Sequence, residues 1–307
     1  MSISNAYEGT GVMTVDDRLK DPTYLPERIL ENLDGTDLVP AVFRDGGPND
    51  GVVVFTEAES PYFEDEPEIV AEYAEIPTTD GEGAKKHAAL GVKTALGFDI
   101  SWESRRFNRI DPLNKGITKL QNTFVRANAR SVLAAFFNAE VPELAVATDW
   151  EANDADPMRD IRQAKRMVAN ASLDGNPDAR YGYKPDILLT NEATVDAALF
   201  HESVQRFYRG DVATENPVYR GITPQMLGGL RVVTSTWIPE GEAYVLQSGT
   251  VGFYSDAEKL TVSPVYAPEG ENGYGGRRQY WRVDAFQHRA IAVDNPKACV
   301  KLVGIEA

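Results

Sequence analysis

Cysteine is almost missing from this chain: Cys299 is the single one in 307 residues. An internal disulfide framework is therefore excluded, and the usage suits a reducing compartment. Within Ala298-Cys299-Val300 the thiol reads as a packing group and not a reactive one. Long apolar runs are missing too. The best, Val132 to Phe137, falls far short of the roughly 18 residues a membrane helix needs, so no membrane partner is expected. The first 20 residues are rich in Ser, Gly, Asp and Thr and lack the apolar segment of a secretory signal. Cations are scarce, with 31 Lys and Arg against 47 Asp and Glu and a formal net charge of −16. Such a balance argues against a protein that grips nucleic acid, because that affinity comes from Lys and Arg neutralising phosphates. It favours solubility and repulsion between copies. A chain of this kind that still assembles needs local charge complementarity.

The sequence contains such a division. Residues 45–84 hold twelve Asp or Glu and no Lys or Arg, whereas residues 85–130 hold ten Lys or Arg and three acids. Two adjacent segments of opposite sign suggest surfaces made to meet, on one chain or on two. The acidic segment predicts a hairpin: a strand at Val52-Val53-Val54-Phe55, a bend at Ser60-Pro61-Tyr62, a returning strand from Glu68 to Ile76, and a turn at Asp80-Gly81-Glu82-Gly83. A two-stranded hairpin has little core of its own and is marginal in water. It should rest on something else, and a neighbouring subunit is the reading carried forward.

Signatures of catalysis are sparse. The three histidines, His87, His201 and His288, lie far apart, and after His201-Glu202 a zinc-protease pattern finds Gln205 where its second histidine belongs. No Gly-x-Ser-x-Gly elbow occurs, and Gly81 to Lys86 lacks the spacing and hydroxyl of a phosphate loop. The glycines of 270–276 read as a surface turn. Asp149, Glu151, Asn153, Asp154 and Asp156 suggest calcium, but an EF-hand loop has Gly sixth and Glu twelfth. Asp154 and Asp160 stand there, which favours a solvated acidic loop. Asn170-Ala171-Ser172 fits a glycosylation acceptor, which means little without secretion. The aromatic and basic stretch Arg277 to Phe286 reads as a strand before it reads as a surface for single-stranded nucleic acid. No cofactor, metal or catalytic residue is expected. An acidic hydrolase using a carboxylate pair remains the rival from another class, and a cleft with two carboxylates roughly 5 to 9.5 Å apart would support it.

Along the chain, prolines 22, 26, 40 and 48 break an extended arm that has room for a short helix from Pro26 to Leu33. Alternation through Lys93 to Trp102 predicts a strand. Asp111-Pro112 is a helix start, with Asp as N-cap and Pro first in the helix. No proline follows before Phe137, which allows about 26 helical residues, or roughly 39 Å. Leu113, Ile117, Leu120, Phe124 and Ala127 form its apolar stripe, while Lys115, Lys119, Arg126 and Arg130 decorate other faces. Further on, a helix is expected over Pro157 to Ala171, a buried strand at Asp186 to Leu189, and a helix from about Asn191 to Tyr208 that Gly210 caps. Leu230 to Thr234, Ala243 to Gln247, Tyr280 to Phe286 and Ala298 to Val303 are expected strands. The class is α+β, with a long helix lying on a sheet.

This order of parts resembles the major capsid proteins of tailed bacteriophages with the Hong Kong 97-type fold. The specific likeness lies in Lys184-Pro185-Asp186-Ile187-Leu188-Leu189-Thr190-Asn191, in Gly229-Leu230-Arg231-Val232-Val233 leading to Pro239-Glu240-Gly241-Glu242-Ala243-Tyr244-Val245, and in the ending His288 to Leu302. It is most similar to capsid proteins of phages infecting actinobacteria. The resemblance implies an N-terminal arm (1–48), an extended E-loop (49–92), a peripheral domain (93–143 and 251–292) with a spine helix over about 112–137, and an axial domain (144–250 and 293–307).

On that likeness the chain is a structural shell protein that forms hexamers and pentamers of an icosahedral container for double-stranded DNA, bound without sequence specificity. A separate scaffolding protein, a portal and a decoration protein are the implied partners, with assembly in the host cytoplasm. Some relatives carry a scaffolding segment ahead of the arm; its lack here implies either that the segment was cleaved or that a separate scaffolding protein is used, and Met1 at the start favours the second. An encapsulin, which shares the fold and packages enzymes, is the nearest rival. Glu57, Glu59, Glu64, Asp65, Glu66, Glu68 and Glu72 are the expected intersubunit acids, facing Arg105, Arg106, Arg109, Lys115 and Lys119 of a neighbour. The prototype's cross-link needs an E-loop lysine, and residues 51–84 contain none.

Overall fold

The computed structural model describes residues 21, 23–33, 37–59, 62–63, 67–70, 73, 75–79, 85–152, 154–173, 176, 178–207, 226–270 and 277–305. A first helix spans Tyr24–Leu33 and a single turn spans Val39–Val42. Strands β1 (Arg44–Pro48), β2 (Val52–Thr56), β3 (Lys86–Leu90) and β4 (Val92–Ser101) follow. A short helix, Trp102–Arg106, precedes the long helix Ile110–Asn138. Next come β5 (Glu143–Ala145), a helix at Pro157–Ala169, β6 (Ile187–Thr190) and the helices Glu192–Phe200 and Glu202–Phe207. The chain then runs through β7 (Met226–Leu227), β8 (Leu230–Thr234), β9 (Glu242–Leu246), β10 (Gly252–Val262), β11 (Tyr280–Val293) and β12 (Cys299–Val303). The fold is α+β, as the sequence predicts.

Three expectations change. The long helix begins at Ile110, so Asp111 sits inside its first turn and is not the cap. Its carboxylate still complements the positive helix start, and Pro112 falls among the first four N–H positions, which have no helical partner anyway. The helix expected from Asn191 to Tyr208 is broken at His201, which is extended (φ −67°, ψ 137°). His201 Nδ1 accepts from Ser203 N at 3.2 Å and so starts a second short helix. Gly210, the expected cap, lies outside the described residues. The third change concerns the acidic hairpin, described below.

The described residues divide into two compact units. The first comprises the described residues within 21–37, 92–127 and 256–289. Leu25 and Ile29, one turn apart on the first helix, are fully buried with Ile100, Leu113, Ile117, Leu120, Phe124, Val262, Trp281, Val283 and Ala285. Gln121 Nε2 donates to the Ile29 carbonyl at 3.4 Å. β4 pairs antiparallel with β11, from Tyr280 opposite Ser101 to Arg289 opposite Val92, and β10 flanks β11 on its other side. Gly116, a poor helix former, has a packing reason: a Cβ there would stand 2.8 Å from the Phe98 ring.

The second unit comprises residues 38–91, 128–255 and 290–307. Its six-stranded sheet has the order β5-β12-β9-β6-β8-β7. β6 is buried at all four residues, pairs parallel with β8 and antiparallel with β9, and so reads as one apolar run. Thr190 Oγ1 donates to the Glu242 carbonyl at 2.8 Å, and Asn191 caps the next helix through Ala193 N while its amide donates to the Ile238 carbonyl at 2.8 Å. These bonds account for two polar residues ending a buried strand. The helix Pro157–Ala169 is capped by Asp156 and buries Ile161, Ala164 and Val168, the stripe expected from sequence. The later turns of the long helix bury Val132 and Phe136, whose ring lies 5.7 Å from Phe43 and 5.1 Å from Tyr244.

Candidate intersubunit surfaces

The partner of β2 is β3, not the expected strand from Glu68 to Ile76. The register runs from Val52 opposite Leu90 to Thr56 opposite Lys86. Residues 67–70 and 75–79 carry no strand, because Pro67 and Pro77 remove ladder donors at both ends of that stretch. The bend at Ser60-Pro61 and the turn at 80–83 lie outside the described residues.

One face of the hairpin is held down. Phe55 sits edge-on to Phe253 at 5.5 Å and stacks on His87 at 5.6 Å. Ala58 N donates to the Asp294 carbonyl at 3.0 Å, which roots the hairpin on the segment Asp294-Asn295-Pro296. That segment is itself fixed: Arg44 pairs with the Asp294 carboxylate, Tyr183 donates to Asn295 Oδ1 at 3.1 Å, and Asn295 Nδ2 donates to the Thr250 carbonyl at 2.8 Å. The opposite face is apolar and open. Val52 is 54% exposed, Val54 68% and Leu90 70%, with Ala88 directly across from Val54. Tyr62, Phe63, Ile69, Tyr73 and Ile76 in the acidic segment are also exposed. Sequence reasoning weighed the acids there and missed these residues, although the unbroken apolar run Val52 to Phe55 carried a signal, since a two-stranded hairpin can bury only one of its faces.

Of the expected acids, Glu57 lies 3.4 Å from His87 Nε2, and Glu59 and Glu68 are exposed. Glu64, Asp65, Glu66 and Glu72 lie outside the described residues. Glu57, Glu59 and Glu68 belong to the second unit and the five basic candidates to the first. Arg105 and Arg106 lie on the short helix and Arg109 three residues past it, each beside an aromatic ring: Arg105 over Trp281 at 4.6 Å, Arg106 over Trp102 at 5.1 Å and Arg109 over Phe107 at 5.7 Å. Lys115 and Lys119 are exposed one turn apart on the long helix.

Elsewhere, reactive residue types have structural roles. Cys299 is fully buried, and burial pushes its thiol well above the usual range, which leaves it unreactive. In the acidic loop, Asp149 accepts from Glu151 N at 2.9 Å, and Asp160 accepts from Trp150 Nε1 at 2.9 Å. Burial raises the Asp160 carboxyl, and the Trp150 hydrogen bond partly offsets that. Asn153 lies outside the described residues, as do glycines 273, 275 and 276 of the expected Gly-rich turn.

Comparison with known proteins places this architecture. The model of the family described as phage capsid protein matches residues 83–302. No curated protein sequence matches the chain. The fold is similar to the virus-like particle from Pyrococcus furiosus, with TM-score 0.57 and 13% identity over 91% of this chain and 98% of that one. It is also similar to a protein of Gordonia phage Cozz (TM-score 0.55, 14% identity, 90% and 85% covered) and one of Mycobacterium phage Bobi (TM-score 0.54, 15% identity, 85% and 88% covered). With the family model spanning most of its length, the chain belongs to the phage capsid proteins, as a major capsid protein of the Hong Kong 97-type fold and a structural component.

Proposed function

We propose that the chain forms hexamers and pentamers that close as an icosahedral shell around double-stranded DNA, which it encloses without reading its sequence. In this reading a separate scaffolding protein, a portal and a decoration protein are its partners, and assembly takes place in the cytoplasm of an actinobacterial host. Residues 1–48 serve as the arm and 49–92 as the E-loop, with 93–143 and 251–292 as peripheral domain and 144–250 and 293–307 as axial domain. The observation that carries the reading is the open apolar face of Val52, Val54 and Leu90 on a hairpin that has no core of its own. Its cover is a second copy, with interfaces well above the ~1,600 Å² of a standard complex.

The charge division sets how copies meet. Glu57, Glu59, Glu64, Asp65, Glu66, Glu68 and Glu72 of one copy face Arg105, Arg106, Arg109, Lys115 and Lys119 of the next. One exposed pair contributes about 0.2–1 kcal/mol, so register depends on the patch and not on any single contact. Negative-stain microscopy of the purified full chain tests the reading, with closed icosahedral particles expected. A stable monomer across micromolar concentrations, with residues 49–92 protected from protease, would overturn it. Particles filled with protein cargo in place of DNA would point to an encapsulin-type compartment.

A further inference from the structure

We infer that Arg105, Arg106 and Arg109 form a guanidinium platform that receives carboxylates from the acidic segment of a second copy, and that arginine, not merely positive charge, is required there. The inference rests on the shell reading above and adds the chemistry of one contact.

The backbone that carries the platform is closely specified. Ser101 Oγ accepts from Ser104 N at 3.3 Å and caps the short helix. At its end Asn108 takes φ +50°, a conformation that Asn tolerates better than most side chains. Arg109 N then reaches back to the Ser104 carbonyl at 2.8 Å, and Asn108 N to the Arg105 carbonyl at 3.2 Å. These two bonds fix the backbone of Arg109 against the end of the short helix. Each member lies within cation–π range of a ring, with Trp281, Trp102 and Phe107 at 4.6, 5.1 and 5.7 Å. Arg106, Arg109 and Phe107 are exposed.

A guanidinium seated on a ring keeps its cation–π attraction while its N–H fork points along its own plane, where two donors match the two oxygens of a carboxylate. Lysine in the same place offers a hydrated point charge with no fixed fork. The cation-free stretch 45–84 supplies the matching chemistry, with Glu59, Glu68 and Glu75 exposed on described residues and no lysine or arginine in the stretch. On a chain of net charge −16, a site of this sign and shape lets copies attract where most of their surface repels.

The full-length chain with Arg106→Lys and Arg109→Lys tests the fork at constant charge. Circular dichroism and thermal unfolding of the unassembled subunit should match the wild type. The critical concentration for shell formation, read by sedimentation velocity, should rise about three- to tenfold, the size expected when two wet charge-assisted contacts weaken. The increase should shrink to nothing in a background in which Glu57, Glu59, Glu64, Glu66, Glu68, Glu72 and Glu75 are changed to Gln and Asp65 to Asn. Wild-type assembly by the lysine variant, together with failure of Arg106→Glu, Arg109→Glu, would overturn the fork while leaving the charge reading intact. Wild-type assembly by both variants would overturn the acid–base contact altogether. A lysine effect that persists in the Gln background would overturn the acidic segment as the occupant.

Discussion

Arg289 grips Asp256 with two nitrogens, Nε on Oδ1 at 2.6 Å and Nη2 on Oδ2 at 3.0 Å. Its Nη1 donates to Asp37 Oδ2 at 3.0 Å, so one side chain ties the segment after the first helix to β10 and β11. The Arg289 and Asp256 side chains are only 11% and 7% exposed. Removing one partner of such a buried pair leaves uncompensated charge, which costs about 3–5 kcal/mol. Arg289→Met should therefore lower subunit stability by about that amount in urea unfolding, and Arg289→Lys by less. A loss under 1 kcal/mol would show that the triad is not needed.

Gly116→Ala offers a contest between two effects. Alanine gains about 1 kcal/mol of helix propensity over glycine. The new Cβ, however, would meet Phe98 Cδ2 at 2.8 Å, and overpacking of this kind costs about 1–3 kcal/mol. Overpacking should win, with a lower unfolding midpoint that Phe98→Leu restores. A more stable Gly116→Ala single variant would mean that the ring moves aside freely.

Val54→Lys should separate folding from assembly. The side chain is open in the subunit, so subunit stability should change by no more than about 0.5 kcal/mol. If the face around Val54 is covered by a second copy, burying an ammonium there should abolish particles in negative stain. Normal particle yield would place the contact elsewhere.

No covalent ladder should form between subunits. Residues 51–84 hold no lysine, and Lys86 is held in β3 by pairing opposite Thr56. Boiled, denatured particles should run as a single band near 33.8 kDa. Multimers that survive boiling would require an isopeptide donor outside the hairpin.

Legibility followed the strength of local patterning. The long helix announced itself through Leu113, Ile117, Leu120 and Phe124, all buried, and Ile187 to Leu189 read as a buried strand because nothing polar interrupts it. β3 was missed because Lys86-His87-Ala88-Ala89-Leu90 has weak strand propensity and no clean alternation. Its strand state is imposed by pairing with β2. Glu68 to Ile76 looked more like a strand than it is, since propensity ignores what Pro67 and Pro77 do to a ladder. The break at His201 depends on an imidazole bond to a backbone amide, which periodicity cannot register. Arg105, Arg106 and Arg109 were visible as charges, but not as ring-backed charges, because Trp281 lies far along the chain from the other rings.

The bond from Ala58 to the Asp294 carbonyl joins residues 236 positions apart, and β5 is held to its sheet only through β12. Both fastenings wait on residues that leave the ribosome after nearly everything else described. A half-made chain cannot root its hairpin or complete its larger sheet, so the open face of Val52, Val54 and Leu90 takes its place only late in synthesis.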